Sequence, residues 1–193
     1  MIADEALLLE VLNSAPRHGE AIAEKLTGVE GATIARRLGG TGTEQEVRLL
    51  RRTRDAIQAL VRGHDEATAA LQELMDSTIL TPDVTPAGIR WGLDAPADMV
   101  PAARIAQAWS TVSEARPGRL KACANEECNL FLIDRTRPGT AKWCSMAVCG
   151  NRMKARAHAS RARAAAPQRA GDSPDRSGDA GDGGRRGIPR ASP

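Results

Sequence analysis

A chain of 193 residues has room for one ordinary domain and a small module, and its 41% of hydrophobic residues suffice for a core. Only 2% are aromatic (three Trp, one Phe, no Tyr), which favours helices packed through Leu, Ile, Val and Ala over a sandwich. The net charge of +3 conceals an asymmetry: residues 1–118 carry 12 Lys+Arg against 17 Asp+Glu (−5), residues 119–163 carry 10 against 3 (+7), and residues 164–193 carry 5 against 4 (+1). The basic module, not the acidic body, is therefore the part expected to meet a polyanion. No stretch approaches the roughly 20 apolar residues that span a bilayer, and Asp4 and Glu5 stand where a signal peptide needs basic residues. The expectation is a cytoplasmic, nucleoid-associated protein with reduced thiols and no membrane contact.

In chain order, the spacing predicts a first helix over 3–12, ended by Asn13, Ser14 and Pro16. Two short helical candidates follow, around Ala21–Leu26 and Ala32–Leu38, separated by Gly28 and Gly31. The clearest helix runs from Thr43 to Val61. Thr43 and Glu46 form a capping box, and Val47, Leu50, Ile57, Leu60 and Val61 share a face. Arg48, Arg51, Arg52 and Arg54 read as its solvated face, pairing with Glu44, Glu46 and Asp55. A further helix is expected over Asp65–Ser77, with Leu71, Leu74 and Met75 inward, then a hairpin with strands near 79–85 and 88–93. Trp91 is expected to pack on that hairpin; with Arg90 and Asp94 it is also the one candidate for lining a small-ligand pocket. Asp98 is expected to cap a helix reaching Ala115 and burying Ala102, Ile105, Trp109 and Val112. Arg116-Pro117-Gly118 forms a hinge short enough to keep the module against the body. The stretch 166–193, rich in Gly, Pro, Ser, Asp and Arg, is expected to be disordered.

All four cysteines fall in the module as two equally spaced pairs, Cys123-x4-Cys128 and Cys144-x4-Cys149. Two local thiol pairs are what a structural zinc ion needs, and four protein sulfurs leave no open position for catalysis. Segments 129–133 and 141–144 read as strands of one hairpin turning at Arg137–Gly139, with Phe131 and Trp143 as apolar props beside the metal. Ser145 is placed to cap a final helix over 146–165, treble-clef fashion. That helix carries Arg152, Lys154, Arg156, Arg161 and Arg163, a density of like charge that water alone does not favour and a phosphate backbone does. Arg135, Arg137 and Lys142 are secondary candidates for phosphate contact. His158 reads as a surface residue. No Ser/His/Asp or Cys/His constellation and no phosphate loop is present, so an enzyme is not expected.

Cys149-Gly150-Asn151-Arg152, preceded by Trp143-Cys144-Ser145-Met146 and followed by Lys154-Ala155-Arg156, resembles the signature of the CGNR zinc-finger family, and the resemblance extends upstream to Cys123, Cys128, Phe131, Asp134 and Arg135. Leu8–Ser14 resembles the opening helix of that family's ABATE domain, which ends in Asn-Thr where this chain has Asn-Ser. The resemblance implies a helical regulatory domain, here over 1–116, and a zinc finger, here over 119–165; with the small β-hairpin and the tail over 166–193 read from the residues, the expected fold is mainly α. The resemblance implies a stress-induced transcription regulator whose finger binds DNA. A homodimer through the body and a small-molecule effector are compatible with it. The competing expectation is an RNA- or protein-interaction module on the same basic helix.

Overall fold

The computed structural model describes residues 3–165, so the expected disordered tail lies outside the described residues. About half of them are helical, in six α-helices, with three two-stranded antiparallel hairpins between. Helix α1 (Ala3–Leu12) leads into β1 (Arg17–His18) and β2 (Ala21–Ile22); α2 (Gly28–Arg37), α3 (Glu44–Val61) and α4 (Ala67–Met75) follow. The hairpin β3 (Ile79–Thr85) and β4 (Gly88–Asp94) precedes α5 (Val100–Ala115). The C-terminal part holds β5 (Leu120–Ala122), β6 (Phe131–Ile133), one π-helical turn over Met146–Gly150, and α6 (Asn151–Ala165).

Helix α3 is the axis, packed by α1, α2, α4 and α5. Its capping box forms as the spacing predicts, but Glu46 does more than cap. The carboxylate is buried and accepts the N–H groups of Thr41 at 2.8 Å, Gly42 at 2.6 Å and Thr43 at 3.0 Å. Burial pushes Glu46 up, and these backbone donors more than offset it, holding the carboxyl below its usual range. The core is aliphatic: Leu8, Val11, Leu12, Leu26, Leu50, Ile57 and Ile105 lose essentially all contact with water. Gly31 is fixed by proximity, since a Cβ there would lie 2.9 Å from the Leu26 carbonyl carbon and 3.0 Å from Val47 Cγ1.

Several expectations are corrected. The segment around Ala21–Leu26 is not a helix; the chain turns through β1–β2 and on to Leu26, which plugs the core while its neighbours stay exposed. Asp98 does not cap α5, whose first turn is preceded by Met99 without any side-chain cap; Met99 is buried instead, against Leu49, Leu74 and Ala102. Arg54 is not on a solvated face. It is buried, and its guanidinium donates to Glu24 at 2.8 Å, Asp55 at 2.8 Å and the Ser14 hydroxyl at 3.0 Å. Trp91 does not pack in: it is 59% exposed on its hairpin.

Segment 129–133 does not pair with 141–144. Strand β6 pairs with β5 in the register Leu120↔Ile133 and Ala122↔Phe131. The reason is hydrophobic: Phe131 and Ile133 are buried in the same core as α1, α3 and α5, with Leu120 and Ala122 packed against it. Phe131 thus faces the helical body rather than the cysteines, with the Arg62 guanidinium 4.4 Å from its ring centre. The chain after β6 is organised around a buried carboxylate, Asp134, which accepts from Thr136 Oγ1 at 2.7 Å, Thr136 N at 2.9 Å, Ala141 N at 3.0 Å and Lys121 Nζ at 2.9 Å. The Thr136 hydroxyl foremost, then Lys121 and the two backbone donors, hold it far below the usual carboxylate range against the effect of burial.

Candidate metal centre

The four cysteines are carried by separate pieces of the C-terminal part. Cys123 follows β5, tied by its N–H to the Leu130 carbonyl at 2.8 Å, and Cys128 closes a turn by donating to the Asn125 carbonyl at 2.7 Å. Cys144 ends the loop that Asp134 organises. The Lys142 carbonyl accepts from Ala124 N at 2.8 Å, laying that loop beside the first pair. Cys149 lies in the π-turn, which Ser145 caps from Val148 N at 3.4 Å, as the sequence predicts. Gly150 follows because space is short: a Cβ there would sit 2.8 Å from Met146 Sδ and 3.2 Å from Trp143 Cδ1.

All four sulfurs lie within 4.8 Å of one another. Cys128 Sγ is 3.6 Å from Cys144 Sγ, which is 3.7 Å from Cys149 Sγ. A tetrahedron with metal–sulfur bonds of about 2.3 Å has edges of about 3.8 Å, so these spacings suit a single zinc ion and are far too long for a disulfide. The donor set fits. The surroundings fit as well: Cys144 N points at Cys123 Sγ from 3.5 Å, and the buried Asn125 amide points Nδ2 at Cys149 Sγ from 3.6 Å. Donors aimed at sulfur favour thiolate over thiol. Burial raises Cys149, but Asn125 and the neighbouring thiols outweigh it and bring the group below its usual value. Cys144 is pushed up, first by burial and then by its neighbours Cys128 and Cys149.

The basic candidates separate into two groups. On α6, Arg152, Lys154, Arg156, Arg161 and Arg163 are all exposed, as is His158, and no acidic residue lies between 151 and 165. Glu127, in the first cysteine turn, reaches two of them: Arg156 at 2.5 Å and Arg152 at 3.8 Å. Arg135 is drawn to the body, its guanidinium 2.8 Å from the buried carboxylate of Glu5, which also has Arg116 at 3.5 Å. Arg137 and Lys142 are exposed with no ion-pair partner among the described residues.

What the residue pattern alone did not show is how the body holds the finger. Asn13 Nδ2 donates to the Phe131 carbonyl at 3.1 Å, and Phe131 N donates to Asn13 Oδ1 at 2.7 Å. Asn129 reciprocates, donating to the Ala15 carbonyl at 2.6 Å and accepting from Arg17 N at 2.9 Å. Two side-chain amides thus lace segment 13–17 to segment 129–131 as a strand would. Beside them, the Ser14 hydroxyl bonds Val11 O and receives Arg54. The Asn13-Ser14 dipeptide carries this signal in the sequence; its partner lies more than a hundred residues away.

Among the described residues no helix is long and apolar enough to cross a membrane. No curated protein matches the chain. Residues 119–162, the stretch that carries the four sulfurs and most of α6, match the family model described as the CGNR zinc finger.

Proposed function

We propose that the chain is a DNA-binding transcription regulator. In this reading one structural zinc ion on Cys123, Cys128, Cys144 and Cys149 folds a treble-clef-like finger over 119–165, and α6 is laid along the phosphate backbone. Residues 1–116 act as an ABATE-like regulatory body, and the protein works at the nucleoid in response to stress. Zinc with four thiolates supplies a rigid cross-link and no reactive position. No residue is assigned a catalytic role.

One observation carries the reading. Helix α6 leaves the cysteine knot with every side chain from Asn151 to Arg163 exposed except the half-buried Met153, and its substantial packing among the described elements is on the π-turn alone. A helix with five cations and no acid has no stabilising reason to stand free in water. It is therefore not docked on the acidic body, and a polyanion explains its composition. Arg137 and Lys142 can add phosphate contacts from the neighbouring loop.

Titration of duplex DNA at several salt concentrations tests this. Affinity should fall steeply with salt, each phosphate contact contributing about 0.9 to the log–log slope. The Arg152→Ala, Lys154→Ala, Arg156→Ala triple variant should bind at least tenfold more weakly. Salt-insensitive binding, an unchanged triple variant, or a preference for RNA or acidic protein over duplex DNA contradicts the reading.

A further inference from the structure

Where α5 and β6 end, the body and the finger share a cleft of about 590 Å³. One wall is the end of α5 and the hinge, with Arg116 and Arg119; the other is the loop after β6, with Asp134, Arg135 and Arg137. Four guanidiniums thus line one concavity, and none of the five cations of α6 takes part in it.

The acidic groups beside them are already filled. Asp134 is buried, and each of its oxygens accepts from two donors: Oδ1 from Thr136 N and Oγ1, Oδ2 from Ala141 N and Lys121 Nζ. The buried Glu5 takes Arg135 at 2.8 Å and Arg116 at 3.5 Å. Counting Lys121 with the four arginines, five cations face two carboxylates, an excess of three positive charges. The guanidiniums, with five N–H donors each, are short of acceptors. Arg119 donates to the carbonyls of Thr136 at 2.6 Å and Arg137 at 3.2 Å, and Arg135 donates to Glu5. The side chains of Arg116 and Arg137 form no hydrogen bond among the described residues. Arg119 is also preset: a Cβ on Gly139 would lie 2.7 Å from its Nη1 and 2.9 Å from its Cζ.

We propose that this cleft binds a small phosphate-bearing molecule, its oxyanion held between Arg116 of the body and Arg135 and Arg137 of the finger. A phosphate monoester carries roughly two negative charges near neutral pH and three strong acceptor oxygens, which suits guanidinium forks converging from two walls. The volume falls within the roughly 300–1,000 Å³ of small-molecule sites. Concavity favours such a ligand over DNA. Arg116 and Arg119 are recessed, their side chains 34% and 30% exposed, whereas Arg152 and Arg156 on α6 stand out at 50% and 47%. The bound oxyanion links body to finger across the hinge, whatever α6 itself binds.

Calorimetry on the zinc-loaded full chain tests this, with inorganic phosphate and ribose 5-phosphate as probes at constant chloride. One equivalent should bind with a dissociation constant of about 1 mM or tighter, and the amides of 134–139 should gain protection from exchange. Arg116→Gln and Arg137→Gln should each weaken binding at least tenfold with an unchanged circular dichroism spectrum. Arg152→Gln with Arg156→Gln should leave it unchanged. Arg116→Gln should also leave the affinity for duplex DNA as it was. Absence of saturable binding by either probe, binding that survives both cleft substitutions, or binding lost in the α6 pair instead overturns the inference. A loss of duplex affinity in Arg116→Gln as large as the loss of probe affinity would assign the cleft to the DNA backbone, and overturns it too.

Discussion

Asn13 holds Phe131 by both backbone groups, donating to its carbonyl at 3.1 Å and accepting its N–H at 2.7 Å. A residue at the end of the first helix thereby completes a strand of the metal-binding part, and the Phe131 ring is delivered into the core of the body. Asn13→Ala should strand a donor and an acceptor that are shielded from water. Each such loss costs about 1–3 kcal/mol, so urea unfolding of the zinc-loaded protein should show a lower midpoint with an unchanged slope. A change below about 0.5 kcal/mol, the usual range of surface substitutions, would contradict the strap.

Chelation should act unevenly along the chain. Helices α1, α3 and α5 share an aliphatic core, whereas α6 rests on the π-turn that carries Cys149. Amide exchange after metal removal should therefore rise first and most in 144–165, with α3 still protected, because a metal site's binding free energy is local folding free energy. Uniform loss of protection, or none in α6, would show that the finger is held otherwise.

Glu127 sits against Arg152 and Arg156 and tempers the charge of α6. Surface pairs of this kind contribute about 0–1 kcal/mol to stability, so Glu127→Gln should leave the unfolding midpoint nearly unchanged. Its effect should appear in binding instead: affinity for duplex DNA at low salt should increase several-fold and the salt slope should steepen. Weaker binding in Glu127→Gln would mean that the carboxylate positions the arginines rather than competing for them.

Acid should loosen the body through Glu46. Its carboxyl is held below its unfolded value, so the stabilisation is complete above the ordinary carboxylate range near pH 4 and is lost as pH falls through the folded value. Glu24, also shifted down where burial is outweighed by Arg54, acts in the same direction. Glu46→Gln should be less stable than wild type at pH 7, and the gap should narrow between about pH 5 and 3. A gap constant across that range would show that the Glu46 charge is not what the loop holds.

The parts legible in sequence were those governed by local rules. The capping box at Thr43, the hairpin after Ile79, the Ser145 cap and the convergence of the two cysteine pairs all follow from residues close in the chain. What sequence reading missed depends on distant partners. Arg54 looks like one more cation on a helix face until Glu24 and Ser14 arrive to bury it. Phe131 sits between the cysteine pairs, yet the body's core is the larger apolar sink. The β5–β6 pairing beat the nearer hairpin because Leu120 and Ala122 could cover that core, while residues 135–140 were drawn into a loop around Asp134.

X-ray absorption on the purified full chain, with its metal content measured alongside, tests the centre on which the rest depends. One zinc per chain with four sulfur neighbours at about 2.3 Å, reduced to three in Cys149→Ser, is the predicted result. A metal-free chain that retains an ordered α6, or a zinc shell containing nitrogen or oxygen in the unmodified protein, would contradict it.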